Sequence, residues 1–535
     1  MNQILEFLGS CRAISDQIKV IDALESASYL RNLSAIQRSI GGVVQPSSVS
    51  EVVEIVRLAN KYSVSLYPIS RGRNWGFGSR LPVRDNAVIV DLGDMKKIRH
   101  YDSKSGYVVI EPGVTQKQLA DFLRTQRSDY FLDVTGSSSE SSVVGNALER
   151  GIAYNSLRPN SVTNLEVVLG TGAILKTGFL HFENATCADR YRSGIGPDLS
   201  GLMFQSNYGI VTAITYRLSK KASFELSFSL NFSDEHLPSF LDGIEKIKKK
   251  FHWDSIIHIG NRKRGKFTVE PYARWLARTR PELGINESEI EELLDEELLK
   301  KEWTAIGGIH GSKALVSEIA KEIRKNFKNM GELRILSQSR ISQARTLLSI
   351  FRFAGLKKKR FLLELIVPFQ GLSQGIPTDA SIYSFLERKR DLNQYDAVDL
   401  SEGVDKSDIG FLYCAPLCRL CGSEGEKMIR IIQKNCRSFG FEPEVTLNTI
   451  QDDLLEAVVS ISFDQRNLEI SKNAQLCTRS LIQSLIAAGF LPYRLGIDQM
   501  DLMIDPHDEF WKVVYELKKI LDPRQVIAPG RYNLG

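Results

Sequence analysis

Three glycines lie within seven residues, at Gly72, Gly76 and Gly78, in a stretch that also contains Ser70 and Asn74. Glycine adopts positive φ without strain and lets a ligand approach the backbone, so consecutive N–H groups can turn toward one anion. Apolar runs precede and follow the stretch, which predicts a strand–loop–strand able to hold a diphosphate. Taken alone, the pattern leaves open an ordinary glycine-rich surface turn.

The stretch matches neither of two well-known phosphate motifs. A Walker loop ends in Gly-Lys-Ser/Thr and the Rossmann fingerprint opens a helix, whereas residues 68–82 read PISRGRNWGFGSRLP and lead to another β run. A second loop rich in glycine and serine, TGSSS, lies at 135–139. The chain therefore has two loops that could offer N–H and hydroxyl groups to an anion.

Seven cysteines are spread thinly through 535 residues, which is typical of free thiols in a reducing compartment. Cys414, Cys418 and Cys421 cluster, but the next histidine downstream is His507. Since a structural metal site usually needs four ligands, we favour apolar packing over a zinc or iron–sulfur site and expect no metal.

The elements around these residues are both helical and extended. Apolar residues recur at helical spacing over about 51–62 and over 116–124, with short β runs at 64–69, 87–92, 107–111, 166–170 and 210–218. From about 224 to about 487 strands alternate with helices. The sequence predicts an α+β protein in which one domain, 1–223 with 488–535, is split by an inserted domain at 224–487.

Composition excludes several classes of protein. Residues 2–38 predict an amphipathic helix with polar breaks rather than a signal peptide, and no run approaches the roughly 20 apolar residues of a membrane span. A net charge of +5 without a basic, aromatic stripe argues against nucleic-acid binding. We therefore expect a cytoplasmic protein that acts on a small molecule.

The order of motifs resembles one family, the p-cresol methylhydroxylase/vanillyl-alcohol oxidase group of FAD-linked oxidoreductases. The segment GGVVQP at 41–46 precedes the glycine loop, and the later matches are EPGV at 111–114, VGNALERG at 144–151, QSNYGIVT at 205–212 and IAPGR at 527–531. The resemblance covers the whole chain, and 224–487 is its least distinctive part.

The resemblance implies a PCMH-type FAD-binding domain at 1–223, completed by 488–535, and a substrate-binding cap at 224–487. Main-chain N–H groups and serine hydroxyls of the two loops would receive the two phosphates of FAD. By resemblance, Arg531 would reach the flavin or its ribityl chain; the alternative is that it pairs with a surface carboxylate. The candidate cofactor-binding residues are Ser70, Arg71, Gly72, Arg73, Asn74, Gly76, Pro112, Gly113, Gly136, Ser137, Ser138, Val143, Gly145, Asn146, Gly209, Ile210, Val211 and Arg531.

The resemblance also implies three candidate catalytic residues. In the family a Tyr-Arg pair, here Tyr493-Arg494, holds the substrate's phenolate, and an adjacent guanidinium favours ionisation of a phenol whose free pKa is about 10. A buried aromatic beside an ion-paired arginine is the alternative. The third candidate is Phe77, where the family has a second tyrosine. Because phenylalanine donates no hydrogen bond, we expect weaker phenol binding or a different substrate.

Two further departures from the family concern the tether and the acid/base group. Family members often link FAD to a histidine or tyrosine, and Phe411 aligns there, so we expect non-covalent FAD, with Tyr413 as the tether if the register differs. The family's acid/base positions hold Ser137 or Ser138 and Thr446, and Glu140 and Asp498 are acids nearby in sequence. Plain two-electron oxidation is therefore favoured over hydroxylation with water.

The sequence thus predicts an FAD-dependent oxidoreductase that moves a hydride from an activated benzylic, allylic or alcohol carbon of a small aromatic substrate to flavin N5. Oxygen or a cytochrome would accept the electrons, and a homodimer is left open. A hydroxy-acid or sugar dehydrogenase or oxidase is the alternative, since Arg494 could bind a carboxylate through both nitrogens. A low-activity flavin-binding tailoring protein is the further alternative.

Overall fold

A computed structural model of the protein describes residues 2–350, 354–386 and 403–534. The strands in this part of the chain are β1 (Lys19–Asp22), β2 (Ile40–Gln45), β3 (Leu66–Ile69), β4 (Ala87–Asp91), β5 (Ile98–Asp102), β6 (Tyr107–Ile110), β7 (Tyr130–Phe131), β8 (Val162–Leu169), β9 (Ile174–Lys176), β10 (Gly209–Arg217), β11 (Ser219–Lys220), β12 (Phe224–Phe232), β13 (Ile257–Asn261), β14 (Trp303–Gly311), β15 (Gly331–Ser337), β16 (Ile409–Cys414), β17 (Leu417–Arg419), β18 (Glu444–Thr449) and β19 (Leu454–Asp464).

The helices are α1 (Asn2–Arg12), α2 (Ala27–Leu30), α3 (Val49–Tyr62), α4 (Gln116–Thr125), α5 (Val143–Leu148), α6 (Leu237–Phe251), α7 (Arg262–Thr279), α8 (Ile290–Glu297), α9 (Lys313–Phe327), α10 (Gln338–Ile350), α11 (Lys357–Gly371), α12 (Tyr383–Leu386), α13 (Gly422–Ser438), α14 (Leu468–Ala487) and α15 (Glu509–Leu521). Mixed helix and strand confirm the predicted α+β class. No helix in the described ranges has the length and apolar character that crossing a membrane would need.

The first sheet places the glycine loop. Its order is β1-β2-β4-β3, and β2, β4 and β3 run parallel to one another. Helix α3 connects β2 to β3 and begins at a capping box of Ser48 and Glu51, which satisfies two terminal N–H groups. Parallel neighbours usually need a helical crossover, but β3 and β4 are joined by residues 70–86 without an α-helix. This long loop therefore lies at the end of the sheet.

The C-terminal segment adds to this first sheet. Leu66 donates its N–H to Val526 and accepts from Ala528, both at 2.7 Å, so the chain end lies beside β3. The fully buried Lys518 donates to the carbonyls of Asn207 and Ile527 and pairs with Asp522. These contacts fix the segment that carries Arg531 against the early part of the chain.

A second sheet, in the antiparallel order β5-β6-β10-β8-β9, packs against α4 and α5. The largest sheet has the order β15-β12-β14-β13-β18-β19-β16, with β17 also paired to β19. Residues alternate between its faces, as in any strand. One face is the main apolar core, packed with side chains of α6, α9, α13 and α14. The other face is free to form the wall of a site.

The predicted helix at 51–62 is found as α3, whereas the prediction of helix over residues 2–38 is wrong in part. Residues 19–22 form β1, which pairs antiparallel with Gln45 to Gly42 of β2. Pairing at the edge of the sheet makes this segment a strand, and the local periodicity of the sequence does not reveal such pairing. Residues 351–353 and 387–402 of the predicted cap lie outside the described residues.

Candidate active site

A cavity of about 470 Å³ lies where the glycine loop, the TGSSS loop and the free face of the largest sheet meet. Its lining includes Ser70, Gly136 and Asn146 from the first half of the chain and Tyr413 and Glu456 from the sheet. Segments more than three hundred residues apart in sequence therefore form one site.

The glycine loop takes the backbone form that its composition predicts. Gly72, Gly76 and Gly78 have φ of 64°, 78° and 106°, which only glycine adopts at low cost. A Cβ atom at Gly76 would collide with the ring of Tyr413, and one at Gly78 with Ile497. These glycines let the loop pack closely against the wall of the cavity.

Two arginines of the loop give this end of the cavity a positive charge. Arg73 is largely buried, and burial, followed by the neighbouring charge of Arg71, lowers the pKa of Arg73 to about 10. Arg73 donates to Ser138 Oγ at 2.7 Å, and Ser138 donates to Asp379 at 2.9 Å. Glu140 lies 3.6 Å from Arg71 and does not line the cavity. An anion placed between the two arginines would relieve their mutual repulsion.

The donor set fits the diphosphate and ring system of FAD. Among the described residues, Arg71 Nε and Asn146 Oδ1 are buried on this wall without a hydrogen-bond partner. A Cβ atom at Gly136 would meet open space, so its backbone is accessible, and Gly145 packs tightly against Ser70. Buried polar atoms without partners are costly unless a ligand completes them.

Most of the predicted cofactor-binding residues line this one cavity. They are Ser70, Arg71, Gly72, Arg73, Asn74, Pro112, Gly136, Ser137, Gly145, Asn146, Gly209, Val211 and Arg531. Five others are not in its lining: Gly76, Gly113, Ser138, Val143 and Ile210. Val143 and Ile210 are fully buried in apolar cores, where α5 and β10 pack.

All three predicted catalytic residues line the cavity too. Arg494 donates to Asn74 Oδ1, and its guanidinium carbon lies 4.6 Å from the centroid of the Phe77 ring. A desolvated cation–π contact of this kind contributes about 2 kcal/mol. Phe77 in turn stacks on Tyr413, with centroids 5.5 Å apart. Phe77 therefore connects the glycine loop both to Arg494, by a cation–π contact, and to the largest sheet, by stacking on Tyr413.

Glu149 pairs with both Arg494 and Arg531, which sequence reasoning did not predict. The carboxylate approaches Arg494 Nε at 3.5 Å and bonds to Arg531, and Arg531 also donates to the Tyr67 hydroxyl at 3.2 Å. Arg531 therefore has a carboxylate partner, but inside the cavity and not on the surface. The three groups together carry a single positive charge.

Tyr493 is half-buried in the wall of the cavity, and its hydroxyl lies beside the carboxyl of Glu456. Burial, and then the charge of Glu456, raises the pKa of Tyr493 well above its usual value. This side chain therefore stays a neutral phenol. Its backbone is held by Ala415 and Gln205, at 3.2 and 3.0 Å.

Glu456 belongs to a hydrogen-bonded row across three strands. Asn448 of β18 lies opposite Glu456 of β19 and donates to it at 2.7 Å, and His258 Nδ1 of β13 lies 2.8 Å from Asn448 Oδ1. His258 Nε2 is 3.1 Å from the carbonyl oxygen of Tyr154. Burial raises the pKa of Glu456 to about 7 and lowers the pKa of His258.

Sequence reasoning missed this row, although one signal was present. Glu456 is the only charged residue in the otherwise apolar or small stretch LLEAVVSISF at 454–463. A carboxyl inside such an apolar strand is rarely buried unless it is paired or belongs to a functional site. Thr446, at one of the family's acid/base positions, lines the cavity. Asp498 does not line it, and the backbone carbonyl of Asp498 accepts a hydrogen bond from Arg479.

Aromatic side chains form the wall beyond Tyr413. Phe411 stacks on Phe267 of α7 with centroids 5.6 Å apart and meets Phe385 edge-on at 4.9 Å. Phe411 and Tyr413 both line the cavity, as expected for residues two apart on a strand. Arg264 of α7 also reaches the lining, 3.9 Å from Glu444. Within the described residues no cluster suited to a metal occurs, and Cys414 and Cys418 are buried free thiols.

The site thus lies where the two glycine- and serine-rich loops meet the largest sheet. The chain matches the FAD binding domain family over residues 40–178. It is 32% identical, over 99% of its length and 96% of the relative's, to 1'-carboxy-chondrochloren decarboxylase of Chondromyces crocatus. It is 23% identical to the 4-cresol dehydrogenase [hydroxylating] flavoprotein subunit of Pseudomonas putida, covering 92% and 87%.

Solved structures agree with these relatives. p-Cresol methylhydroxylase superposes with a TM-score of 0.82 at 22% identity, covering 99% of this chain and 97% of that one. A 4-ethylphenol oxidase from Gulosibacter chungangensis gives 0.82 at 20% identity, covering 100% and 97%. The chain belongs to the p-cresol methylhydroxylase/vanillyl-alcohol oxidase family of FAD-linked oxidoreductases, and its cofactor is FAD.

Proposed function

We propose that the protein removes a hydride from an activated benzylic, allylic or alcohol carbon of a small aromatic substrate. The observation that carries this proposal is the contact of Tyr493 with Glu456 in the wall of an aromatic-lined cavity. Phe77, Tyr413 and Phe411 pack on one another along the cavity wall and offer aromatic faces and edges to a substrate ring. Two relatives carry names that describe para-substituted phenols, 4-cresol and 4-ethylphenol.

Bound FAD would supply the hydride acceptor. Residues 70–74 with Gly136 and Ser137 would hold its phosphates, while Gly145, Asn146, Gly209 and Val211 would line its ring and sugar parts. Pro112 and Arg531 would complete that wall. We assign Gly76, Gly113, Ser138, Val143 and Ile210 to shaping it from behind.

Tyr493 and Arg494 would orient the substrate. Tyr493 remains protonated, so it can donate a hydrogen bond to a substrate oxygen or accept one from a substrate hydroxyl. Arg494 lies beside Tyr493 and is ion-paired with Glu149. It therefore stabilises negative charge that develops nearby less strongly than an unpaired arginine would. Phe77 holds Arg494 in place by its ring face.

The division of the chain supports a pocket between domains, with 1–223 and 488–535 binding FAD and 224–487 forming the cap. FAD would be held non-covalently, because Phe411 cannot form a link. An absorption spectrum after acid precipitation tests this: free flavin colours the supernatant, and a yellow pellet would overturn it and implicate Tyr413. Oxygen or a cytochrome would reoxidise the enzyme.

Anaerobic mixing of the FAD-loaded protein with 4-ethylphenol tests the main proposal. We expect the flavin absorbance to bleach and to return when air or cytochrome c is added. Absence of bleaching by 4-alkylphenols, while 2-hydroxy acids or sugars bleach the flavin, would favour the alternative dehydrogenase function instead. If none of these substrates bleaches the flavin, the result would favour the further alternative, a low-activity flavin-binding tailoring protein.

A second candidate is oxidative decarboxylation, favoured by Arg264 in the cavity lining and by the name of the Chondromyces crocatus relative. Arginine binds carboxylates through two parallel hydrogen bonds. Loss of a benzylic hydride and of CO₂ from the adjacent carbon would convert the C–CO₂⁻ electron pair into a new C=C bond. A styrene-type product and CO₂ from 3-(4-hydroxyphenyl)propanoate would establish it, whereas an intact carboxyl in the product would exclude it.

A further inference from the structure

The free face of the largest sheet carries an ionisable row that nothing in the glycine loops or the Tyr-Arg pair requires. Glu456, Asn448 and His258 occupy directly opposite positions on three adjacent strands, and all three line the cavity. Their hydrogen bonds run from Glu456 to the carbonyl of Tyr154, and Tyr493 lies beside Glu456.

We propose that Glu456 is the proton acceptor of the oxidation, taking the substrate's hydroxyl proton through Tyr493, while His258 positions and balances it through Asn448. This inference rests on the proposed function. The Tyr493 hydroxyl and Glu456 lie side by side in the cavity lining, so with its proton directed to the carboxylate the Tyr493 oxygen has lone pairs that can accept a proton from a substrate hydroxyl.

The step balances for a para-substituted phenol. The substrate O–H proton passes to the Tyr493 oxygen as the Tyr493 proton passes to a carboxylate oxygen of Glu456. The oxygen's electron pair becomes the carbonyl of a quinone methide, and the benzylic C–H pair leaves as hydride to the bound FAD. The substrate loses one proton and one hydride, and Glu456 gains the proton.

The hydrogen bonds of the row couple the protonation state of Glu456 to that of His258. The carbonyl of Tyr154 accepts, so His258 Nε2 must donate, and Asn448 Oδ1 likewise accepts from Nδ1. With the Asn448 amide in this orientation both ring nitrogens of His258 donate, whereas burial, which lowers the pKa of His258, favours the neutral ring. A neutral His258 with a protonated Glu456 satisfies the same bonds after the Asn448 amide turns over. The two arrangements hold equal numbers of protons, so they differ only in whether Glu456 or His258 carries the shared proton.

The environment sets this titration near neutral pH. The titratable and charged groups that face Glu456 are Tyr493 and Arg494 of the C-terminal segment, and His258 of β13 by way of Asn448. Burial is the main cause that raises the pKa of Glu456 to about 7, opposed by the donors Asn448 and Tyr493. A base with such a pKa is ionised and still able to hold a proton at physiological pH.

The test is the pH dependence of kcat/KM for 4-ethylphenol in the wild type and in Glu456→Gln. Because the base must be ionised, the wild-type value should rise with pH through about 7. In Glu456→Gln we expect that rise to vanish and the plateau to fall by about 100-fold or more. Glu225→Gln is the matched control, since Glu225 is a half-buried carboxyl on a strand of the same sheet, has a raised pKa and accepts from Ser373 outside the cavity lining. A rise near pH 7 that persists in Glu456→Gln would overturn the inference.

Binding of 4-bromophenol, which has no benzylic hydrogen, separates this inference from the proposed function. Its Kd should fall as pH rises through about 7 in the wild type and stay flat in Glu456→Gln. If no phenol is oxidised, the function fails while this measurement still decides the role of Glu456.

Should Glu456→Gln fail to retain FAD, Asn448→Leu serves instead. Removing the donor to Glu456 takes away a bond that favours the ionised carboxylate, so the apparent pKa of kcat/KM should rise. An unshifted profile in Asn448→Leu would contradict the proposal.

Discussion

Arg494 lies over the ring of Phe77, with the guanidinium carbon 4.6 Å from the ring centroid. This contact joins the C-terminal segment to the glycine loop and fixes the cation beside Tyr493. In the family a tyrosine is expected in place of Phe77, so here the position contributes a ring face without a hydroxyl. The first prediction follows from this pair.

Phe77→Leu keeps the volume nearly constant and removes the aromatic face. Since a desolvated cation–π contact contributes about 2 kcal/mol, the Kd of 4-bromophenol should rise by roughly tenfold or more as Arg494 loses its fixed position. Phe179→Leu is a control, because Phe179 stacks on Tyr191 outside the cavity. Equal Kd values for Phe77→Leu and the wild type would show that the contact does not position Arg494.

Arg494→Gln should slow anaerobic flavin reduction by 4-ethylphenol by about 100-fold, which is typical of losing one preorganised donor to developing charge. Stopped-flow absorbance measures the rate. Arg479→Gln, which removes a surface arginine paired with Asp501, should leave it unchanged. An unchanged rate in Arg494→Gln would remove this arginine from the mechanism.

Glu149→Gln should raise the midpoint potential of the bound flavin. The variant leaves Arg494 and Arg531 without their shared carboxylate, so the site gains positive charge and better stabilises an electron-rich cofactor. Spectroscopic redox titration reads this directly and does not depend on turnover. Glu166→Gln, which removes a carboxylate bonded to Arg99, is the control. A lowered potential in Glu149→Gln would contradict the charge arrangement described for the cavity.

Lys518→Met should destabilise the protein by about 3–5 kcal/mol, the usual cost of leaving a buried ionic partner alone. Asp522 would lose its ion pair, and the carbonyls of Asn207 and Ile527 would lose their donor. Its neighbour Lys519 is exposed and pairs with Glu516, so Lys519→Met should leave the melting temperature within a degree or so of the wild type. Similar melting temperatures for the two variants would mean that Lys518 does not secure the C-terminal segment.

The sequence predicted those parts of the candidate site that depend on short, contiguous segments of the chain. Glycines at 72, 76 and 78 specify a loop whatever surrounds it, and Tyr493-Arg494 are adjacent in the chain. The class of fold and the FAD cofactor followed from such short segments taken in order.

The parts that sequence did not predict depend on strand register. Glu456, Asn448 and His258 meet only because β19, β18 and β13 are neighbours in one sheet. Likewise, Glu149 meets Arg531 only after the C-terminal segment returns to β3. No local pattern encodes which strands are neighbours, and the strand at 19–22 was mistaken for helix for the same reason.

The most direct test of the account uses 4-ethylphenol carrying deuterium at the benzylic carbon, mixed anaerobically with the FAD-loaded protein. If a benzylic hydride is transferred in the cavity beside Tyr493, the flavin should bleach, and more slowly with the deuterated substrate. Protein that dithionite bleaches normally but that neither form of 4-ethylphenol reduces would contradict hydride removal from a para-alkylphenol.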